Sequence, residues 1–252
     1  MADEEGLSRD AFLGGRLNLW QPKKGYRAGV DPVLLAACVP AKAGQTVLDV
    51  GCGAGAAMLC LAARVPGIIV TGLEIQGEYV ALARRNAVEN DIPATVVDGD
   101  VAAMPDALKI RQFDHVITNP PYYPAGSVGQ TTRSDRAVAI AEGTDLDLWM
   151  RACCKRLKPS GRLTVIQRAD RIVDLAAALP ASVGRLVIQP LAPRPGRDAS
   201  LVIFQAVNGA KSAARMRPPL VMHQGPEHRD GPKDYSLQIE AVLRDAGAID
   251  LE

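Results

Sequence analysis

The sequence has no cysteine pair at C-x-x-C spacing, no histidines at metal-ligand spacing, and no uncharged apolar run of about 18 residues. Each absence removes a class of protein. Five cysteines (Cys38, Cys52, Cys60, Cys153 and Cys154) are an odd set inside apolar runs, which points to reduced thiols in a cytosolic protein, not a disulfide framework. The adjacent Cys153 and Cys154 fall on a helical face and read as core. His115, His223 and His228 are too scattered for a metal site, and His115, inside an apolar strand, reads as structural. No membrane helix is expected. The opening MADEEGLSRD is acidic and lacks an apolar stretch, so no secretory signal is expected. Glycine and proline are plentiful but follow no period, which excludes collagen-like and low-complexity chains. No internal repeat is visible.

What is present suits a globular α/β protein. Hydrophobic residues make up 48% of 252, enough for a sizeable core. The net charge of +1 rules out a polycation, but the charge is uneven. Residues 185–218 hold Arg185, Arg194, Arg197, Lys211, Arg215 and Arg217 against Asp198 alone, a local +5 that leaves about −4 elsewhere.

Apolar runs at 46–50, 68–74, 94–98, 113–118 and 161–167 read as buried strands. Helical spacing separates them at 54–64, 76–90 and 145–157, and recurs at 170–179. This alternation predicts parallel strands joined by right-handed helical crossovers. Two further strands, 184–192 and 199–207, are joined only by the loop PRPGRD and predict an antiparallel hairpin at one edge. The expected fold is Rossmann-like: a mostly parallel seven-stranded sheet with that hairpin at its C-terminal end. In GVDPVLLAA, Asp31 is the expected N-cap and Pro32 the first helical residue of a short helix before the sheet. Three regions follow: residues 1–45 covering a ligand site, 46–208 as the main domain, and a basic, loosely structured 209–252.

LDVGCGAG, residues 48–55, joins the first strand to the first helix. Gly51, Gly53 and Gly55 permit a sharp turn and close ligand approach. Glu74 ends the second strand, where a carboxylate accepts both hydroxyls of a ribose. The glycines fall at i, i+2 and i+4, not in a dinucleotide G-x-G-x-x-G, and no Walker lysine follows. Asp49, just before the loop, suits a ligand bearing an ammonium and a sulfonium. The pattern resembles the class I S-adenosylmethionine (SAM) methyltransferases. By that resemblance Glu74 binds the ribose, Ile75 and Val101 cover the adenine, and Asp100 pairs with the adenine amine.

The fourth strand stops on NPPYY, residues 119–123, at the carboxyl end where ligands bind in this fold. N-P-P-Y matches methyltransferases acting on planar amino nitrogens. The Asn119 side-chain oxygen and the Pro120 carbonyl each accept one N–H, turning the nitrogen lone pair towards the methyl group, while Tyr122 stacks on the flat substrate. Proline fixes φ and donates no hydrogen bond, so the turn is rigid and its carbonyls stay free. Tyr123 extends the platform, and residues 124–142, with Arg133 and Arg136, lie where a covering loop would be.

QPKKGYRAGVDPVLLAA (residues 21–37), LDVGCGAG, GLEI and NPPYY together resemble the bacterial tRNA adenine-N6 methyltransferases, whose substrate is the adenosine 3′ of the anticodon of a valine tRNA. The resemblance spans roughly residues 10 to 208 and implies SAM as cofactor, with Tyr26 and Arg27 near its methionine part. It implies a cytoplasmic enzyme with tRNA as partner. We assign the phosphate contacts to Arg194, Arg197, Lys211, Arg215 and Arg217. Three alternatives share parts of the pattern: an rRNA guanine-N2 methyltransferase, a protein glutamine methyltransferase, and a SAM- or RNA-binding module without activity.

Overall fold

The computed structural model describes residues 4–121, 145–225 and 234–252. All the expected strands form, as β3 (Thr46–Val50), β4 (Ile69–Glu74), β5 (Ala94–Asp98), β6 (Phe113–Thr118), β7 (Leu157–Arg168), β8 (Val183–Ala192) and β9 (Leu201–Asn208). The sheet runs β8, β9, β7, β6, β3, β4, β5 across. Strands β5, β4, β3, β6 and β7 are parallel, and β9 lies antiparallel between β7 and β8. Of the terminal hairpin it is therefore the second strand that reaches the parallel sheet.

Strand alternation sorts β3 between two cores. Val47 joins one apolar cluster with α1 (Asp31–Ala37) and α2 (Ala56–Arg64), while Leu48 and Val50 join another with α5 (Leu146–Lys155). Among the described residues, the remaining α-helices before α5 are α3 (Gly77–Glu89), after β4, and a short α4 (Asp106–Lys109), after β5. Between β7 and β8 lies α6 (Ile172–Ala177). The N-cap of α1 is Val30, with Asp31 one residue inside and Pro32 next, a shift of one residue from the sequence reading.

Residues 7–22 form a separate antiparallel hairpin, β1 (Leu7–Phe12) and β2 (Leu17–Pro22). A two-stranded hairpin is marginal alone; this one is docked on α3. Asn86 accepts from the Trp20 amide at 2.7 Å and donates to the Trp20 carbonyl at 3.0 Å. Asn90 does the same with the Asn18 amide and carbonyl, each at 2.9 Å. One helical turn plus a fraction, four residues, rises about 6 Å, and two strand residues span about 6.6 Å. Two asparagines four apart thus match two strand residues two apart. Arg85 caps the Trp20 ring at 4.0 Å, and Arg9 pairs with Glu89.

The chain after Asn208 departs from the loosely structured expectation. β10 (Arg215–Met216) and β11 (Leu220–Val221) extend β8 along its outer edge. α7 (Leu237–Asp245), capped by the Ser236 side chain, places Ile239 and Val242 in the core cluster of α1. The packing supplies the order: a covered edge and an amphipathic helix bury apolar surface that the sequence pattern left unpartnered.

Candidate active site

The site is built on the carboxyl ends of β3, β4, β5 and β6. Asp49, 2% exposed, accepts from the Met58 amide in the first turn of α2 at 3.2 Å. A helix N-terminus favours a carboxylate, but burial outweighs it, and nearby Glu74 adds to the effect. The Asp49 carboxyl is pushed up to about 7. Glu74 is also raised by burial, against the pull of backbone amides; it accepts from Gly53 N and Gln76 N, both at 2.9 Å. The first of these ties the glycine loop to the end of β4. Gly51 has φ of 73°. A Cβ there would also meet the Trp149 ring at 3.0 Å, so the position tolerates no side chain on two counts.

Asn119 stands across the loop. Its Nδ2 donates to the Tyr26 hydroxyl at 3.3 Å, while its Oδ1 is buried and, among the described residues, has no hydrogen-bond partner. A buried, unpaired acceptor is costly and calls for an explanation. Tyr26 bridges this residue and the cofactor loop, lining one pocket with Asp49, Gly51, Tyr79 and Asn119. The Tyr79 hydroxyl donates to the Tyr26 carbonyl at 2.8 Å. Desolvation pushes the Tyr26 phenol up to about 12, so it stays protonated and is no base at neutral pH. The turn is braced from behind: the Trp149 indole donates to Thr118 Oγ1 at 3.0 Å, and Thr118 donates to the Val50 carbonyl at 2.8 Å.

Other candidates fall as follows. Ile75 is half-buried at the end of β4, and Val101 is buried after β5. Asp100 accepts from the Ala102 amide at 2.8 Å, which fixes the turn between them. Arg27 pairs with Asp10 at 2.9 Å, at 40% side-chain exposure. Pro120 is buried, and its carbonyl already accepts one bond from Gln167 at 3.2 Å, so it is half occupied where the sequence reading left it free. Tyr122, Tyr123, Arg133, Arg136 and His228 lie outside the described residues. His115 sits towards the other end of β6, with Nε2 3.0 Å from Gln45; burial holds it down to about 4, so it is neutral. All five cysteines are free and buried.

The basic residues separate. Arg194 forms an ion pair with Asp234 at 2.5 Å, with both side chains largely buried. Arg215 and Arg217 donate to the carbonyls of Leu251 and Glu252 at 2.6 and 3.1 Å. Lys211 is exposed beside the start of β8, where the Arg185 amide bonds Ser212. Arg197 is exposed in the β8–β9 loop. That loop shares the catalytic end of the sheet, because Leu201 pairs with Arg168 at the end of β7.

Residues 28–185 match the family described as methyltransferase small domain. The chain belongs to this family. A "tRNA1(Val) (adenine(37)-N6)-methyltransferase" of Porphyromonas gingivalis is 32% identical over 72% of this chain and 73% of its own. A relative of the same description from Dickeya chrysanthemi is 28% identical over 87% of each. Among solved structures, a "predicted O-methyltransferase" of Agrobacterium tumefaciens superposes with a TM-score of 0.70 at 27% identity, covering 87% of this chain and 98% of that one. The protein is a class I methyltransferase, and its cofactor is SAM. The residues present fit that group. Two buried acids flank a glycine loop whose strained turn no side chain could occupy, and they await positive charge and hydroxyl donors. Sequence reasoning missed Trp149, Tyr79 and Gln167. Of these, Gln167 had left a signal, as an uncharged polar amide closing the apolar run 161–167.

Proposed function

We propose that this methyltransferase modifies the exocyclic N6 of an adenosine in tRNA, the one 3′ of the anticodon, in the cytoplasm. The observation that carries the reading is the Asn119 Oδ1, buried and, among the described residues, unpartnered beside the Pro120 carbonyl at the catalytic end of β6. Two neighbouring acceptors fit an amino group, which has two protons to give, whereas a hydroxyl has one. The names borne by the Porphyromonas and Dickeya relatives support adenine in tRNA over guanine or a protein amide.

SAM supplies an electrophilic methyl on its sulfonium. Asp49 would hold the cofactor's positively charged part, and Glu74, anchored by the Gly53 and Gln76 amides, would accept the ribose hydroxyls. Tyr26 spans loop and turn and fixes Asn119 through its amide. Asn119 and Pro120 would hold the substrate nitrogen through its two N–H groups, orienting its lone pair for transfer. The methylated nitrogen is acidic enough to lose its proton to solvent, so no strong base is required. Tyr122 stacks on the base. Arg197, exposed at the catalytic end, meets a phosphate, while Lys211 takes a more distant one; Arg194, Arg215 and Arg217 serve RNA binding indirectly, by shaping that edge.

The test is transfer from labelled SAM to tRNA, ribosomal RNA and protein, followed by mass spectrometry of tRNA nucleosides. N6-methyladenosine in tRNA is the expected product. Label confined to ribosomal RNA or protein would overturn the substrate.

A further inference from the structure

Gln167 is 1% exposed and is the penultimate residue of β7, next to β6 in the sheet. Its Nε2 donates to the Pro120 carbonyl at 3.2 Å and to the Pro121 carbonyl at 3.4 Å. Its Oε1 accepts from the Arg168 amide at 2.9 Å. This last bond fixes which end of the side chain is nitrogen, so the donor must face the prolines. Prolines have no N–H, so the turn cannot tether its two peptide planes through amides of its own at 120 and 121. Among the described residues, Gln167 supplies the side-chain donor that these carbonyls receive.

We infer that Gln167 is a positioning residue for methyl transfer, acting through the Pro120 carbonyl. This rests on the proposed role of that carbonyl as acceptor of a substrate N–H. A carbonyl oxygen has two lone pairs. Gln167 occupies one and thereby sets the plane in which the other is offered to the substrate nitrogen. The rigid ring fixes φ at Pro120 and the following Pro121 confines its ψ to the extended range, and within that range this bond sets the carbonyl direction. Reaction rate is steep in such geometry, and a displacement of about 1 Å costs up to ~10²-fold. Gln167 therefore belongs to kcat, not to cofactor or RNA affinity.

Two variants test this. Gln167→Met keeps length and volume without the donor. Gln167→Glu keeps the shape and sets a second acceptor against two carbonyls. For Gln167→Met we expect kcat lowered about 10–100-fold, with SAM affinity and the KM for tRNA within about threefold, and Gln167→Glu lower still. A purely packing role would lower Tm while leaving kcat per folded molecule within twofold of wild type, and that result would overturn the inference. Wild type labelling another acceptor instead would refute the tRNA reading alone; the same kcat comparison is then made on that acceptor. A measurement free of any substrate is also available. In amide spectra, the side-chain protons of Gln167 should exchange with water far more slowly than those of exposed Gln112. Equal rates would remove the hydrogen bond on which the inference stands.

Discussion

At Asp49 a carboxyl is held buried beside a second acid, and this sets how the protein responds to pH. Its folded value of about 7 lies above an ordinary aspartate near 3.8. Between those values the folded chain binds a proton that the unfolded chain has released, so stability from this group falls as pH rises from about 4 to 7. Positive charge on bound SAM favours the ionised form, so cofactor affinity should fall as pH drops below about 7. Asp49→Asn is expected to raise the Tm of the cofactor-free protein near pH 8, flatten the pH dependence of SAM affinity and weaken it. Melting curves and calorimetric titrations across this range check all three; a Tm equal to wild type near pH 8 would sink the argument. At Asn119 the expectation is separate. Asn119→Ala should lower kcat by about 10²–10³-fold, the cost of one preorganised polar partner at the reacting group. SAM affinity should stay within a few-fold, and retention of a tenth of wild-type turnover would exclude the assigned role. Glu74→Ala should show the reverse, with weaker SAM binding by calorimetry and kcat preserved at saturating SAM.

At the scale of elements, the hairpin depends on α3. Asn86→Ala leaves the Trp20 amide and carbonyl and the Ala54 carbonyl without their partner. At 1–3 kcal/mol for each unsatisfied buried group, less what water recovers, the variant should lose about 3 kcal/mol. Asn90→Ala, at a wetter site, should lose about 1 kcal/mol. Denaturant titration measures both. Because the Ala54 carbonyl lies in the cofactor loop, Asn86→Ala should also weaken SAM. None of this was legible in the sequence, where Asn86 is a polar residue inside a helical pattern and its partners lie 32 and 66 residues away. The parallel strands were legible because burial on both faces makes them continuous apolar runs. The residues at their carboxyl ends, Asp49, Glu74 and Asn119, could be placed for the same reason. The β1–β2 hairpin lacks a clean alternation, since LSRDAF carries three polar residues in a row and LNLWQP buries Gln21, so the sequence pattern did not mark it. Strands β10 and β11, of two residues each, leave no period to detect. α7 did carry a start signal in Ser236 and a stop in Ala246-Gly247, and was overlooked beside the basic run.

Across the whole molecule, the C-terminal segment closes what the sheet leaves open. Arg162 pairs with Glu252, Arg215 and Arg217 hold the last carbonyls, and the Ile249 amide bonds the end of α1 at Ala37. Within the basic run Arg194 is matched by a buried carboxylate and Arg215 and Arg217 are tied to backbone carbonyls, while Arg185 and Lys211 stay exposed. Arg197 is exposed at the catalytic end. Arg197→Ala should weaken tRNA binding and lessen the salt slope by about 0.7, with SAM affinity unchanged. Filter binding at three salt concentrations measures this, and superimposed curves would take Arg197 out of the interface. Arg194→Met, by contrast, removes the arginine paired with the buried Asp234, leaving it beside His223 at 3.2 Å, and should cost up to about 3–5 kcal/mol.

The asparagine clasp on β2 also limits how the gene can change length. Helix and strand meet there as two rulers with different graduations, four residues against two. Deleting one residue between Asn86 and Asn90 swings one amide about 100° round the helix. Deleting one between Asn18 and Trp20 turns the strand's side chains to the opposite face. Neither error is corrected by the other. Length changes should therefore be rejected within both rulers, and in the β1–β2 turn as well, where Leu13 is in the core and Gly14 lies against the Arg244 backbone. A scan of single-codon deletions over residues 13–24 and 84–92, scored by soluble yield, would show this directly.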